Sequence, residues 1–166
     1  MPRNHPRLKG HDYSSDGVYY ITFCVKKRKE LLGKIVEPLD GESFIELSEY
    51  GEVIFRELEE TNSHYENLFI DKFVVMTNHV HLVVIIRNDD GGLRESGLVH
   101  PSTALIPGAI VVLKKKSNRV YGFSMWQDSY YDRIVRDEKD YIRICNYIEE
   151  NPAKWAEDEY CRLGGE

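Results

Sequence analysis

The chain is poor in cysteine, in long apolar runs and in net positive charge, and each shortage argues against a class of protein. Its three cysteines, Cys24, Cys145 and Cys161, are odd in number and lack a Cys-x-x-Cys spacing, which argues against a disulfide framework or a thiolate zinc site. The longest apolar run, around residues 82–86, is far too short to span a bilayer. Residues 1–7 are polar and interrupted by proline, so we expect no secretory signal and a cytoplasmic protein.

A positive surplus, which usually drives phosphate binding, is also missing. The 166 residues include 22 Lys and Arg against 28 Asp and Glu, a net charge of −6, and the pI is near 5.6. This balance argues against a general nucleic-acid binder. Basic residues are nevertheless clustered at residues 26–29 and 114–119, so local positive patches can exist on an acidic protein, although each cluster alone is typical of a solvated face.

The pattern of apolar and turn residues predicts a single domain over residues 1–166. Alternation and β-branched content predict strands at residues 18–25, 44–47, 69–76, 79–86 and 129–135. Helical spacing and capping residues predict helices at residues 48–64, 108–120 and 137–151. Residues 88–107, rich in Gly and Ser with two prolines, are expected to form a flexible loop. This order matches an α+β, ferredoxin-like (RRM-like) βαββαβ sandwich with a short extra strand and an appended C-terminal helix.

His79 and His81 are the most informative residues of the chain. They open an otherwise apolar predicted strand, and side chains two positions apart on a strand point to the same face. Two neighbouring imidazoles have the geometry of a pair of metal ligands. The alternative is a pair of hydrogen-bonded, inert histidines at a strand end.

The last predicted helix carries a second candidate group, Tyr147 with Asn151. Its buried stripe is formed by four residues at helical spacing, Tyr141, Ile144, Cys145 and Ile148. Tyr147 lies about 100° from the centre of that stripe, so its hydroxyl is expected at the exposed rim of the core. Asn151 follows one turn later on the same side. The alternative is an interfacial tyrosine and an Asn-Pro helix end.

Four motifs in this order resemble those of the single-tyrosine HUH transposases, and most closely the REP-associated tyrosine transposases of bacterial chromosomes. They are Met-Thr-Asn-His-Val-His at 76–81, Trp-Gln-Asp-Ser-Tyr-Tyr-Asp-Arg at 126–133, Arg-Asp-Glu at 136–138 and Tyr-Ile-Glu-Glu-Asn-Pro at 147–152. Residues 7–13 and 19–23 also resemble the family, so the likeness covers nearly the whole chain. The chain departs from the family at Thr77, where proline is usual, and in the loop at 88–107.

The resemblance implies a metal-dependent, single-stranded DNA endonuclease and strand transferase. Tyr147 would be the nucleophile and form a 5′-phosphotyrosine link, while His79, His81 and Asn151 would hold a divalent metal, Mg²⁺ or Mn²⁺, as a Lewis acid. The expected substrate is single-stranded DNA bearing a hairpin, and relatives often work as dimers, which makes a homodimer an expectation. DNA contacts are expected from basic residues on the exposed side of the second helix, namely Lys114, Lys115, Lys116 and Arg119.

Three other tyrosines, Tyr130, Tyr131 and Tyr141, compete with Tyr147 as the nucleophile. We rank them lower because Tyr130 and Tyr131 fall on a predicted strand and Tyr141 falls on the buried stripe. Two other functions stay open from the sequence. One is a catalytically silent nucleic-acid-binding module of the same fold, and the other is a metal-binding structural protein unrelated to DNA.

Overall fold

The computed structural model describes residues 13–88 and 105–157. Cys161, residues 7–12 of the N-terminal motif and residues 89–104 of the expected loop lie outside them. Within the described residues the strands are β1 Gly17–Cys24, β2 Gly33–Val36, β3 Phe44–Leu47, β4 Leu68–Val75, β5 His79–Ile86 and β6 Tyr131–Ile134. The helices are α1 Glu49–His64, α2 Leu105–Tyr121 and α3 Glu138–Glu150, with 3-10 segments at Lys26–Arg28 and Trp155–Glu157.

Four strands form one antiparallel sheet in the order β4-β5-β1-β6, and β2 pairs with β3 in a separate hairpin. This arrangement confirms the predicted α+β, ferredoxin-like fold. The structure differs from the prediction in three places. The short strand β2 was not predicted, β6 begins at Tyr131 rather than residue 129, and α2 begins at Leu105 rather than residue 108. The expected loop therefore ends earlier than predicted, because Pro107 falls in the first helical turn, where its missing N–H removes no intrahelical bond.

Alternate residues of each strand divide the sheet into two faces. On one face, residues such as Ile21 and Leu82 pack beneath α1 and α2 in the larger apolar core. On the other face, Val83 packs against α3 through Ile144 and Ile148. The two histidines of β5 share the register of Val83, so they lie on the α3 face.

Helices α1 and α3 begin directly after the predicted N-cap residues Ser48 and Asp137. The Ser48 hydroxyl accepts a hydrogen bond from the Gly51 N–H at 3.2 Å, and the Asp137 carboxylate accepts from the Asp140 N–H at 2.8 Å. A Cβ at Gly51 would lie 2.0 Å from the Leu32 carbonyl oxygen, so only glycine permits α1 to approach that backbone. Among the described residues, no helix combines the length and apolar character needed to cross a membrane.

Candidate functional site

The two histidines at the start of β5 face each other inside the protein. Both side chains are fully buried, and the Nε2 atoms of His79 and His81 lie 2.8 Å apart. Their rings meet edge to face with centroids 4.4 Å apart. The strand alternation that the sequence predicts therefore brings two ring nitrogens to one point.

The orientation of His79 is fixed by the residue before it. The Asn78 Nδ2 donates to the Arg28 carbonyl at 3.2 Å, which directs the Asn78 Oδ1 toward His79 Nδ1 at 2.8 Å. His79 Nδ1 must then carry the proton, and Nε2 keeps its lone pair. Trp155, just beyond α3, stacks on the His79 ring with centroids 5.9 Å apart.

His81 is held by two hydroxyl groups of the neighbouring strand. Thr22 lies opposite His81 in the β1–β5 register, and its Oγ1 is 2.7 Å from His81 Nδ1. The Tyr20 Oη lies at the same distance from that nitrogen, and the Tyr20 ring stacks on the imidazole with centroids 5.5 Å apart. Contacts of this kind orient a metal-ligating imidazole in other proteins.

Burial keeps both imidazoles neutral. Burial, followed by the charge of Arg28, lowers the pKa of His81 to about 3. Burial lowers the pKa of His79 well below its usual value, with further lowering from His81 and then Arg28. At neutral pH both rings are therefore free of the proton that would compete with a metal ion for a lone pair.

Tyr147 and Asn151 bring α3 to the histidine pair. The Tyr147 side chain is 39% exposed, as predicted for the rim of the core, and its Oη lies 3.5 Å from His81 Nε2. Its ring meets the His81 ring edge to face, with centroids 5.2 Å apart. Asn151 is 2% exposed and lies in the chain between Tyr147, whose ring contacts His81, and Trp155, whose ring contacts His79.

The donor set fits a divalent metal ion in geometry and chemistry. The two Nε2 atoms lie 2.8 Å apart, so both could bind the same divalent ion, and imidazole nitrogen is a common ligand of such ions. In the described part of the chain, no group of three or more His, Cys, Asp or Glu side chains is placed to hold an ion. Within that part of the chain, a further protein ligand would be a neutral group such as the Asn151 amide.

The three competing tyrosines lie farther from the histidines or are engaged elsewhere. The Tyr141 Oη donates to Asp71 Oδ2 at 2.5 Å, and this hydrogen bond is the main cause that raises the pKa of Tyr141. Tyr131 pairs with Thr22 in the β1–β6 register, and its ring meets that of Tyr20 edge to face with centroids 6.3 Å apart. Tyr130 precedes β6 rather than lying in it, and its ring faces the Lys114 ammonium.

The basic residues of α2 are not near the histidine pair, because α2 packs on the opposite face of the sheet. The prediction that the whole run is exposed is wrong for Lys114, which is 9% exposed. Its Nζ donates to the carbonyls of Gln127 at 2.7 Å and Ser129 at 3.2 Å, since a buried ammonium needs such acceptors. Lys116 pairs with Glu57 at 2.8 Å, while Lys115 and Arg119 are exposed.

Sequence reasoning missed the residues that orient the imidazoles. Tyr20 and Thr22 carried a usable signal, since they are the polar members of an alternating strand and share one face. Asn78 belongs to the motif at 76–81, yet its contact with His79 depends on a tertiary bond to Arg28. Trp155 follows the helix end in a 3-10 segment, which the sequence pattern does not predict.

Comparisons with known proteins agree with this fold. No protein-family profile matches the chain. A Haemophilus influenzae protein of unassigned function is 32% identical over 172 residues, which cover 95% of this chain and 92% of that protein. A second Haemophilus influenzae protein, provisionally named a REP-associated tyrosine transposase, is 23% identical over 147 residues, 86% of this chain and 74% of its own length.

Among solved structures, the chain is similar to a REP-associated tyrosine transposase bound to a REP hairpin. The TM-score is 0.58 at 18% identity, and the match covers 84% of this chain and 68% of that chain. At this level of identity, the likeness establishes a shared fold.

Proposed function

We propose that this chain is a REP-associated tyrosine transposase, in line with its similarity to proteins of that name, and that it cleaves and rejoins single-stranded DNA through Tyr147. The proposal rests mainly on the close approach of the Tyr147 hydroxyl to the imidazoles of His81 and His79. The Tyr147 Oη lies 3.5 Å from a histidine nitrogen that itself lies 2.8 Å from a second one. The solved relative binds a REP hairpin, which supports hairpin-bearing DNA as the substrate. The homodimer implied by the family stays a prediction.

The chemistry assigned to Tyr147 is attack of its phenolic oxygen on a phosphodiester phosphorus. The new bond joins the tyrosine to the 5′ phosphate, the P–O3′ bond breaks, and the leaving oxygen takes up a proton as a 3′-hydroxyl. A phenol has a pKa of about 10, so its proton must leave during or before the attack. Attack by a 3′-hydroxyl on the phosphotyrosine reverses these bond changes and rejoins DNA without external energy.

His79, His81 and Asn151 would hold the divalent metal ion implied by the family. When bound, Mg²⁺ or Mn²⁺ supplies Lewis-acid stabilisation of charge on the phosphoryl oxygens and the leaving oxygen. The two neutral imidazoles offer lone pairs for this purpose, and the hydroxyls of Tyr20 and Thr22 keep His81 in place. Exposure of Tyr147 leaves the nucleophile open to a large polymer.

The test is a covalent adduct on a denaturing gel. The purified protein is incubated with hairpin-bearing single-stranded oligonucleotides, labelled at either end, in Mg²⁺ or Mn²⁺. We expect the 3′-labelled fragment to migrate with the protein and the 5′-labelled fragment to be released. Tyr147→Phe should abolish the adduct.

Tyr141→Phe is the matched control, because it removes another hydroxyl from the same helix away from the histidines. It should retain the adduct. An adduct that persists in Tyr147→Phe would assign the chemistry to another tyrosine. Tight hairpin binding with no adduct in either metal would favour the catalytically silent binding module instead.

A further inference from the structure

The basic cluster at residues 26–29, called the basic turn here, connects β1 to the chain leading into β2 and lies beside the histidine pair. The Val25 N–H donates to the Asn78 carbonyl at 2.9 Å, and the Leu32 N–H donates to the Thr77 carbonyl at 2.9 Å. Between these bonds, the Arg28 carbonyl accepts from the Asn78 side chain at 3.2 Å. The segments on both sides of the turn, and the Arg28 carbonyl within it, are thus hydrogen-bonded to the two residues that precede His79.

The side chains of the turn divide between the site and the solvent. Arg28 is half-buried, and its backbone carbonyl is hydrogen-bonded to Asn78, the residue that orients His79. Lys26, Lys27 and Lys29 are exposed. Lys27 and Arg28 both adopt left-handed backbone conformations, with φ of 56° and 53°, which turns the chain sharply at this point.

A positive charge on a turn that adjoins two imidazoles proposed to hold a metal ion is unfavourable for a bare divalent cation, because like charges repel. The arrangement becomes favourable when an anion lies between the two cations. A phosphodiester supplies one negative charge and two oxygens that match the fork of an arginine side chain. The charge pattern therefore selects for phosphate at the histidine pair.

We propose that the basic turn binds the DNA backbone, with Arg28 on the phosphate at the histidine pair and Lys27 and Lys29 on flanking phosphates. This inference rests on the proposed function for the identity of the strand. It moves the expected DNA contact from the basic residues of α2, across the sheet, to the turn that adjoins Asn78 and His79. Lys26 donates to the Ser124 hydroxyl at 2.9 Å and holds the turn against the segment after α2.

The test measures equilibrium binding of a fluorescein-labelled hairpin oligonucleotide by anisotropy, with EDTA present so that no metal contributes. Arg28→Gln should weaken binding at least tenfold at low salt. Removing one phosphate-binding charge should also lower the slope of log affinity against log salt by about 0.7. Glutamine retains a long polar side chain and, like arginine, must adopt the left-handed backbone conformation at residue 28. Arg28→Lys should restore part of the affinity.

Lys115→Gln is the matched control, since it removes an exposed positive charge from α2 on the other face of the sheet. It should bind within twofold of the wild type. If thermal melting shows that Arg28→Gln is unfolded, the double variant Lys27→Gln and Lys29→Gln replaces it. That variant alters exposed side chains only and should weaken binding about fivefold by loss of charge.

The outcomes separate this inference from the proposed function. Wild-type affinity in Arg28→Gln, or in the lysine double variant, overturns the role of the basic turn even if the covalent adduct forms. Loss of binding in Lys115→Gln alone also overturns it. Binding that depends on Arg28 supports the turn even if no adduct forms, and the proposed function then fails by itself. A wild-type protein that binds no oligonucleotide at low salt overturns the inference.

Discussion

The two faces of the central sheet are built from alternate residues of the same strands, yet they have different contents. The face beneath α1 and α2 is mainly apolar and includes the buried residues Ile21 and Leu82. The face beneath α3 combines a small apolar cluster around Val83 with a buried polar group around His81. One face can therefore supply the stability that allows the other to bury polar residues.

The sharpest test of this division uses neighbours in β5, His81 and Leu82, which point to opposite faces. Leu82→Ala should lower the free energy of unfolding by about 2–5 kcal/mol, because it removes buried methyl groups and leaves a cavity. His81→Ala should cost about 1–2 kcal/mol, because two hydroxyls lose a partner, and should abolish the DNA adduct.

Urea unfolding and the adduct assay check both variants. At a temperature where it stays folded, Leu82→Ala should still form the adduct. Equal losses of adduct in the two variants would show that the faces do not have separate roles.

Acid should weaken the polar face specifically. The folded pKa of His81 is about 3, below the ordinary value of 6.5, so the unfolded chain binds a proton that the folded chain excludes between these values. The contribution of His81 to the free energy of unfolding is therefore largest above about pH 6.5 and falls as the pH drops toward 3, by up to about 1.4 kcal/mol per pH unit. The free energy of unfolding of His81→Ala, measured from pH 7 to 4.5, should fall less steeply than that of the wild type. Parallel pH profiles would contradict burial of a neutral imidazole.

A smaller effect is expected from the neighbours Tyr19 and Tyr20 of β1. Tyr20→Phe removes one of two hydroxyls at His81 Nδ1, so the rate of adduct formation should fall about tenfold. Tyr19→Phe removes a hydroxyl that donates to the Ser15 carbonyl at 2.9 Å, in the apolar face, and should leave the rate unchanged. Rates from a single-turnover time course measure both effects. A loss in Tyr19→Phe equal to that in Tyr20→Phe would show that the rate reports general loosening of the fold.

The parts of the fold that depend on local pattern were predictable from the sequence. Ser48 and Asp137 cap the helices they were expected to cap, and the apolar run after His81 forms a buried strand. The short strand β2 was not predictable because its pairing with β3 depends on register rather than on composition.

The site divides in the same way. The alternation of strand residues predicted that His79 and His81 point to the same face, and helix phase predicted that Tyr147 is exposed at the edge of the core. That Tyr147 of α3 lies beside the histidines of β5 is known only from the structure. Lys114 shows where pattern alone fails. A run of lysines predicts a solvent-exposed helix face. The Lys114 ammonium instead donates to backbone carbonyls at residues 127–129, which come close to it only in the folded chain.

The most direct test of the central claim is to map the tyrosine that carries DNA in the covalent adduct. Tryptic digestion places Tyr147 on the peptide 144–154, Tyr141 on 140–143 and both Tyr130 and Tyr131 on 120–133, so mass spectrometry distinguishes them. We predict the nucleotide mass on the peptide 144–154. The same mass on either of the other two peptides would contradict a reaction centred on Tyr147 and the histidine pair.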